Sequence, residues 1–148
     1  MYLDGSMADF ICLPGGGTAQ PTSMKTLEGE LHYIRMKGNE TFKVAVRTLT
    51  EVSREVMNEN HVKPEDLAMF IPHQANIRIM NLVREKLKIP EEKVYTNIDR
   101  IGNTSAASIP IALDEVNRAG RLKNDDLVLM SAFGAGLTWA ASLVRWGK

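Results

Sequence analysis

Apolar residues recur at three- and four-residue spacing after Gly38. Phe42, Ala45, Val46, Leu49, Val52 and Val56 fall on one face, with Lys43, Arg47, Glu51 and Glu55 on the other. This period predicts an amphipathic helix that opens at Gly38-Asn39 with Asn39 as N-cap and ends near Asn58-Glu59-Asn60. Pro64-Glu65-Asp66 is a turn, and the unbroken apolar run Leu67 to Ile71 is a strand stopped by Pro72. The helical period returns from Gln74 to Lys88, with Ile77, Met80, Val83 and Leu87 inward and Arg78, Glu85 and Lys88 toward water. Val94-Tyr95-Thr96 is a short strand. A helix from about Thr104 to Ala119 follows, with Gly120 as its C′ residue. Pro110 bends that helix or limits its first turn. Leu127 to Phe133 is a buried strand, Gly134-Ala135-Gly136 a tight turn, and Leu137 to Trp146 a final antiparallel strand. Residues 1–30 are an irregular start, with Ala8 to Leu13 strand-like and the segment through Glu30 a loop. Leu31 to Met36 is strand-like. The alternation of helices and strands implies an α/β layered domain with a mixed sheet and helices packed on it.

Composition narrows the picture mainly by exclusion. The length of 148 residues fits one domain with a real core. A hydrophobic content of 44% and a charged content of 24% are ordinary for a soluble globular protein. Lys plus Arg and Asp plus Glu are 18 each, so net charge gives no sign of a nucleic-acid partner. No apolar run is long enough for a transmembrane helix, and the start lacks a secretory pattern, which points to the cytoplasm and to no membrane partner. One cysteine excludes an internal disulfide, and three histidines at no ligand-like spacing argue against a metal site. Pro14-Gly15-Gly16-Gly17 lacks the Gly-Lys-Ser/Thr ending of a phosphate loop.

Chemistry concentrates at two junctions. His73 lies between a strand and a helix, and Asn103 lies between Gly102 and Thr104 at a helix start. Strand ends are where open α/β sheets place ligands. A His and an Asn presented there can both donate hydrogen bonds to a developing oxyanion or enolate. Taken singly, each reads equally as a satisfied junction histidine or a turn residue. Cys12, in Phe10-Ile11-Cys12-Leu13-Pro14, reads as a small buried hydrophobe, with no helix start behind it and no basic neighbour to lower its pKa.

The wider wording carries more. His73-Gln74-Ala75-Asn76 followed by Arg78, Gly102-Asn103-Thr104-Ser105-Ala106-Ala107-Ser108, Phe133-Gly134-Ala135-Gly136-Leu137-Thr138-Trp139, and Met36-Lys37-Gly38-Asn39-Glu40-Thr41-Phe42-Lys43 resemble, in order, the C-terminal half of β-ketoacyl-acyl carrier protein synthase III. The resemblance implies a thiolase-like fold and a decarboxylative Claisen condensation of an acyl-coenzyme A primer with malonyl-acyl carrier protein. It makes His73 and Asn103 the catalytic pair. Gly38, Phe42, Ala75 and Asn76 would line the tunnel for the phosphopantetheine arm. Phe133, Gly134 and Ala135 would form the glycine-rich active-site turn, Ala135 standing where glycine is common. Lys43, Arg78 and Lys86 would make a basic rim for the acidic carrier, with Glu85 weakening the field at Lys86. The implied partners are acyl carrier protein, acyl-coenzyme A, the nucleophile-bearing N-terminal half and a second copy in a homodimer. No cofactor is implied, because the acyl thioesters are substrates. A related condensing enzyme of polyketide or other acyl metabolism, and a non-catalytic carrier-binding module, are the competing readings. On the first reading, the 148-residue polypeptide alone cannot condense.

Overall fold

The computed structural model describes residues 1–147. Six strands form two sheets: β1 (Tyr2–Leu3), β2 (Ile11–Cys12), β3 (Arg35–Met36), β4 (Leu67–Pro72), β5 (Leu127–Gly134) and β6 (Thr138–Arg145). The main sheet has the order β1-β6-β5-β4, with β4 and β5 parallel and the other pairs antiparallel. β2 and β3 pair separately. The α-helices among the described residues are α1 (Met24–Glu28), α2 (Gly38–Glu59), α3 (Ile77–Leu87), α4 (Ile98–Ile101) and α5 (Ser108–Arg118).

β4 is apolar throughout because both of its faces are covered. On one side Phe70 and Leu129 pack with Leu49 and Met57 of α2 and Val83 and Leu87 of α3. On the other, Met69, Ile71 and Val128 pack with Ala112 and Val116 of α5. A register shift between Leu67 and Met69 puts Leu67 on the Phe70 side despite their odd spacing. Phe70 is fully buried, and truncating it to Ala removes about 3–5 kcal/mol. Both faces of this strand being fixed, its C-terminal end is a rigid mount for whatever follows.

The long helix α2 and the strands β4, β5 and β6 lie where the apolar pattern predicts them. Other boundaries differ. Lys37 precedes α2 and makes no side-chain cap, so Asn39 lies inside the helix. Residues Gly5–Phe10 form a 3-10 segment, leaving only Ile11–Cys12 as strand, and of Leu31 to Met36 only Arg35–Met36 is strand. α1 arises in the expected loop because Ser23 and Thr26 form a reciprocal capping box. Val94 makes an isolated bridge to Phe70 rather than a strand. α3 begins at Ile77, three residues later than the period suggests, and α5 begins at Ser108 after a 3-10 turn, Ser105–Ala107. Pro110 is the third residue of α5, where its missing N–H loses no intrahelical bond. Gly120, at φ +67°, follows the Ala119 cap as expected.

Candidate active site

The turn after β4 is fixed by its own backbone and by one buried side chain. The N–H of His73 donates to Ser131 O at 2.8 Å, and its carbonyl accepts from Ala75 N at 2.9 Å. Gln74 turns inward and is fully buried. Its Nε2 donates to Pro72 O at 2.8 Å and Tyr95 O at 3.2 Å, and its Oε1 accepts from Asn97 N at 3.0 Å. Asn76 Oδ1 accepts from Arg78 N at 2.9 Å and caps α3, which is why the helix opens there and not at Gln74. His73 is half-buried, and that burial holds its pKa below the ordinary 6.5. The ring is therefore neutral at pH 7 and can donate through one nitrogen.

Asn103 sits in a different setting. After α4, Gly102 takes φ +76° and ψ −166°, a conformation open almost only to glycine. Asn103 is exposed, and its Oδ1 accepts from Ser105 N at 2.9 Å, closing an Asx turn. Ser105 itself has φ +52°. With the amide oxygen engaged, the Nδ2 group has no protein acceptor among the described residues and is free to donate. A carboxylate anchors the segments on either side of this loop. Glu115 of α5 accepts from Asn97 Nδ2 at 2.8 Å, Tyr95 OH at 2.9 Å and Arg100 at 3.2 and 3.3 Å. Those donors, Asn97 first, hold its carboxyl below the ordinary carboxylate range.

The hairpin turn adds a third feature. Phe133 and Gly134 end β5, Ala135 is exposed, and Gly136 adopts φ +129° before a cis peptide bond to buried Leu137. The Leu137 N–H donates to Asp4 O at 3.0 Å and is not open to a ligand.

A groove of about 460 Å³ runs along α2 beside α3, lined by Phe42, Lys43, Arg47, Glu51, Arg54 and Lys86 among others. Lys43 and Lys86 thus share one groove, and Glu85 lies beside Arg84 at 3.5 Å. Arg78 does not line the groove, but its guanidinium stands 5.3 Å from the centre of the Phe42 ring, which does. Ala75 and Asn76 are exposed, and a Cβ on Gly38 would meet nothing within 4 Å. Sequence reasoning missed Gln74 as a buried staple and missed Arg54. Spacing held the signal for Arg54, since eleven residues is close to three helical turns from Lys43.

Cys12 differs from expectation in two respects. It is half-buried rather than buried, and β3 sets Arg35 opposite it, so a basic neighbour exists. No helix begins there, and Cys12 belongs to the two-stranded sheet rather than to the sheet whose strands end near His73 and Gly134. Among the described residues no group of three or more His, Cys, Asp or Glu is placed to hold a metal ion, and no helix is long and apolar enough to cross a membrane.

A mixed sheet covered by helices on both faces carries the His73 strand end, the Asn103 loop and a glycine-rich hairpin turn, and the fold is thiolase-like. The structure superposes on the crystal structure of 3-oxoacyl-acyl-carrier-protein synthase III from Aquifex aeolicus with a TM-score of 0.86 at 50% identity, covering 98% of this chain and 42% of that one. It also matches the priming β-ketosynthase of the R1128 polyketide pathway, with a TM-score of 0.81 at 30% identity over 97% of this chain and 42% of that one. The family described as 3-oxoacyl-acyl-carrier-protein synthase III C terminal matches residues 57–146, and the chain belongs to that family. The β-ketoacyl-acyl-carrier-protein synthase III of Aquifex aeolicus is 58% identical over 146 residues, 99% of this chain. The chain spans 42–44% of the length of the curated relatives it matches.

Proposed function

We propose that the chain works as the C-terminal half of a β-ketoacyl-acyl carrier protein synthase III and supplies the enolate-stabilising donors His73 and Asn103. The observation that carries this reading is the state of the two side chains. Burial keeps His73 neutral, and Ser105 N engages the oxygen of Asn103, so each has a donor left free for an acceptor.

The chemistry needs just such donors. When a malonyl thioester loses carbon dioxide, the electron pair of the breaking C–C bond passes to the α-carbon and is shared with the thioester oxygen. Negative charge builds on that oxygen, and a preorganised donor lowers the barrier by about 3 kcal/mol. The enolate carbon then attacks an acyl group held on a cysteine thiolate, which leaves as the new C–C bond forms. That cysteine would come from the remainder of the enzyme, with the Phe133-Gly134-Ala135 turn contributing one amide to its oxyanion hole. The acyl primer would arrive on coenzyme A and the extender on acyl carrier protein. The groove with Lys43, Arg47 and Lys86, and Arg78 beside it, gives a basic surface for that acidic carrier. Gly38, Phe42, Ala75 and Asn76 would line the arm's path, and a homodimer would be the working assembly.

A polyketide-priming synthase is the second reading, favoured by the 30% identity to one. Acyl-thioester profiling of the complete enzyme separates the two: short acyl-coenzyme A primers feeding fatty acid products support the first. The site assignment is tested by malonyl-thioester decarboxylation in His73→Ala and Asn103→Ala enzymes. Loss in both supports it, and unchanged rates in either remove that residue from the pair.

A further inference from the structure

Gln74 is buried, and its side chain hydrogen-bonds both to Pro72, before His73, and to Tyr95 and Asn97, before the Asn103 loop. It is fully buried and uses its oxygen and its nitrogen together. On one side its Nε2 holds the carbonyl of Pro72, the residue before His73. On the other, the same nitrogen reaches Tyr95 O and Oε1 takes the N–H of Asn97. Asn97 leads into α4 and the Asn103 loop. Its own Nδ2 passes the restraint to Glu115 of α5, beyond the far end of that loop. The chain from Pro72 to Glu115 is thus tied through Gln74 and Asn97.

The backbone has few other ties between these arms. Val94 bridges Phe70, and Tyr95 N donates to Phe70 O at 3.0 Å, but both lie upstream of the His73 turn. The ladder to β5 fixes His73 through Ser131 without reference to residues 95–97. Asn103, exposed and held locally by its Asx turn, has no such ladder.

We propose that Gln74 is a positioning residue for condensation: it sets the separation and aim of His73 and Asn103, without touching substrate. This rests on the reading of those two residues as the donor pair. Both polar ends of Gln74 are required, since the nitrogen serves the Pro72 and Tyr95 carbonyls and the oxygen serves Asn97. A misplaced donor loses its value in the transition state while ground-state binding of the thioester survives.

The test is malonyl-thioester decarboxylation by the complete enzyme. Gln74→Met keeps the volume and removes both polar ends. It is expected to lower kcat by about ten- to a hundredfold, with KM held within about twofold. In an Asn103→Ala background the same substitution is expected to cost less than about twofold, because one of the donors it aligns is gone. Gln74→Glu supplies a readout that a merely structural role would not move. Ionised, the carboxylate still accepts from Asn97 N but opposes two carbonyls; protonated, it donates to one of them. Burial raises its pKa, so the ratio of its kcat to that of the wild type should climb as pH falls from about 8.5 to about 6. This comparison decides the matter even if the Met variant fails to fold. Equal fractional losses with and without Asn103, or a Glu ratio flat with pH, would overturn the positioning role while leaving the donor pair standing. Unchanged decarboxylation in Asn103→Ala and His73→Ala would instead overturn the donor pair, and the role of Gln74 with it.

Discussion

His73 and Asn103 are held in opposite ways. His73 stands half-buried at the end of a strand that is packed on both faces, with its N–H bound by the neighbouring strand and its following residue stapled inward. Asn103 is exposed in a loop shaped by two residues at positive φ and one local side-chain bond. On the proposed reading, the two residues take two routes to the same chemical end. Burial tunes a titratable donor by keeping it neutral, and core packing fixes its place. An amide needs no tuning, so it can sit in the open, where local backbone geometry has only to turn its nitrogen the right way.

The comparison breaks most visibly if the donors themselves are removed. His73→Ala and Asn103→Ala should each lower malonyl decarboxylation in the complete enzyme by about a hundred- to a thousandfold. Steady-state carbon dioxide release reads this directly. A smaller effect should separate the two mounts. Gly102→Ala meets no atoms within 4 Å, so its whole cost is the backbone conformation. That cost should be about 1–3 kcal/mol in denaturant unfolding, with decarboxylation falling because Asn103 loses its aim. Carrier docking should respond less. Lys43→Glu or Lys86→Glu should weaken carrier-protein binding by about two- to fivefold at low salt and leave small acyl-coenzyme A substrates nearly untouched. Equal losses with both substrates would remove the groove from docking.

The mildest effect concerns protonation. His73 has a folded pKa below the ordinary 6.5, so between the two values the unfolded chain binds more protons than the native one. The stability contributed by its neutral form is present above pH 6.5 and is lost as pH falls from there toward the folded pKa. His73→Gln should therefore flatten the acid side of a stability profile measured by thermal unfolding. Histidine NMR titration should place the His73 ring below the ordinary 6.5.

The two arms were also unequally legible in the sequence. The 3.6-residue period of α2 and the continuous apolar run of β4 mark long elements whose cores are deep, so their places follow from pattern. The His73 turn was visible for the same reason, as the residue after a Pro-terminated strand. Its finer structure was hidden because Gln74 is a good helix former by propensity, and only tertiary contacts turn it into a buried staple. The Asn103 loop was visible as a glycine-asparagine junction, but the 3-10 turn after it depends on Ser105 taking a positive φ that no pattern announces. Residues 1–36 were least legible, since two-residue strands and single turns have no period to detect. Cys12 illustrates the limit: Arg35 lies opposite it through a pairing between segments more than twenty residues apart. That neighbour weakens one argument against a reactive Cys12, and the argument from its separate sheet remains.

His73 and Asn103 are proposed to donate to one oxygen. A crystal structure of the complete enzyme with a non-hydrolysable malonyl-thioester analogue tests it most directly. The account predicts a ring nitrogen of His73 and the Nδ2 of Asn103 both at about 2.7–3.1 Å from the thioester oxygen, with Gln74 still bridging Pro72 and Asn97. Either donor turned away from that oxygen, with the analogue fully bound, would contradict it.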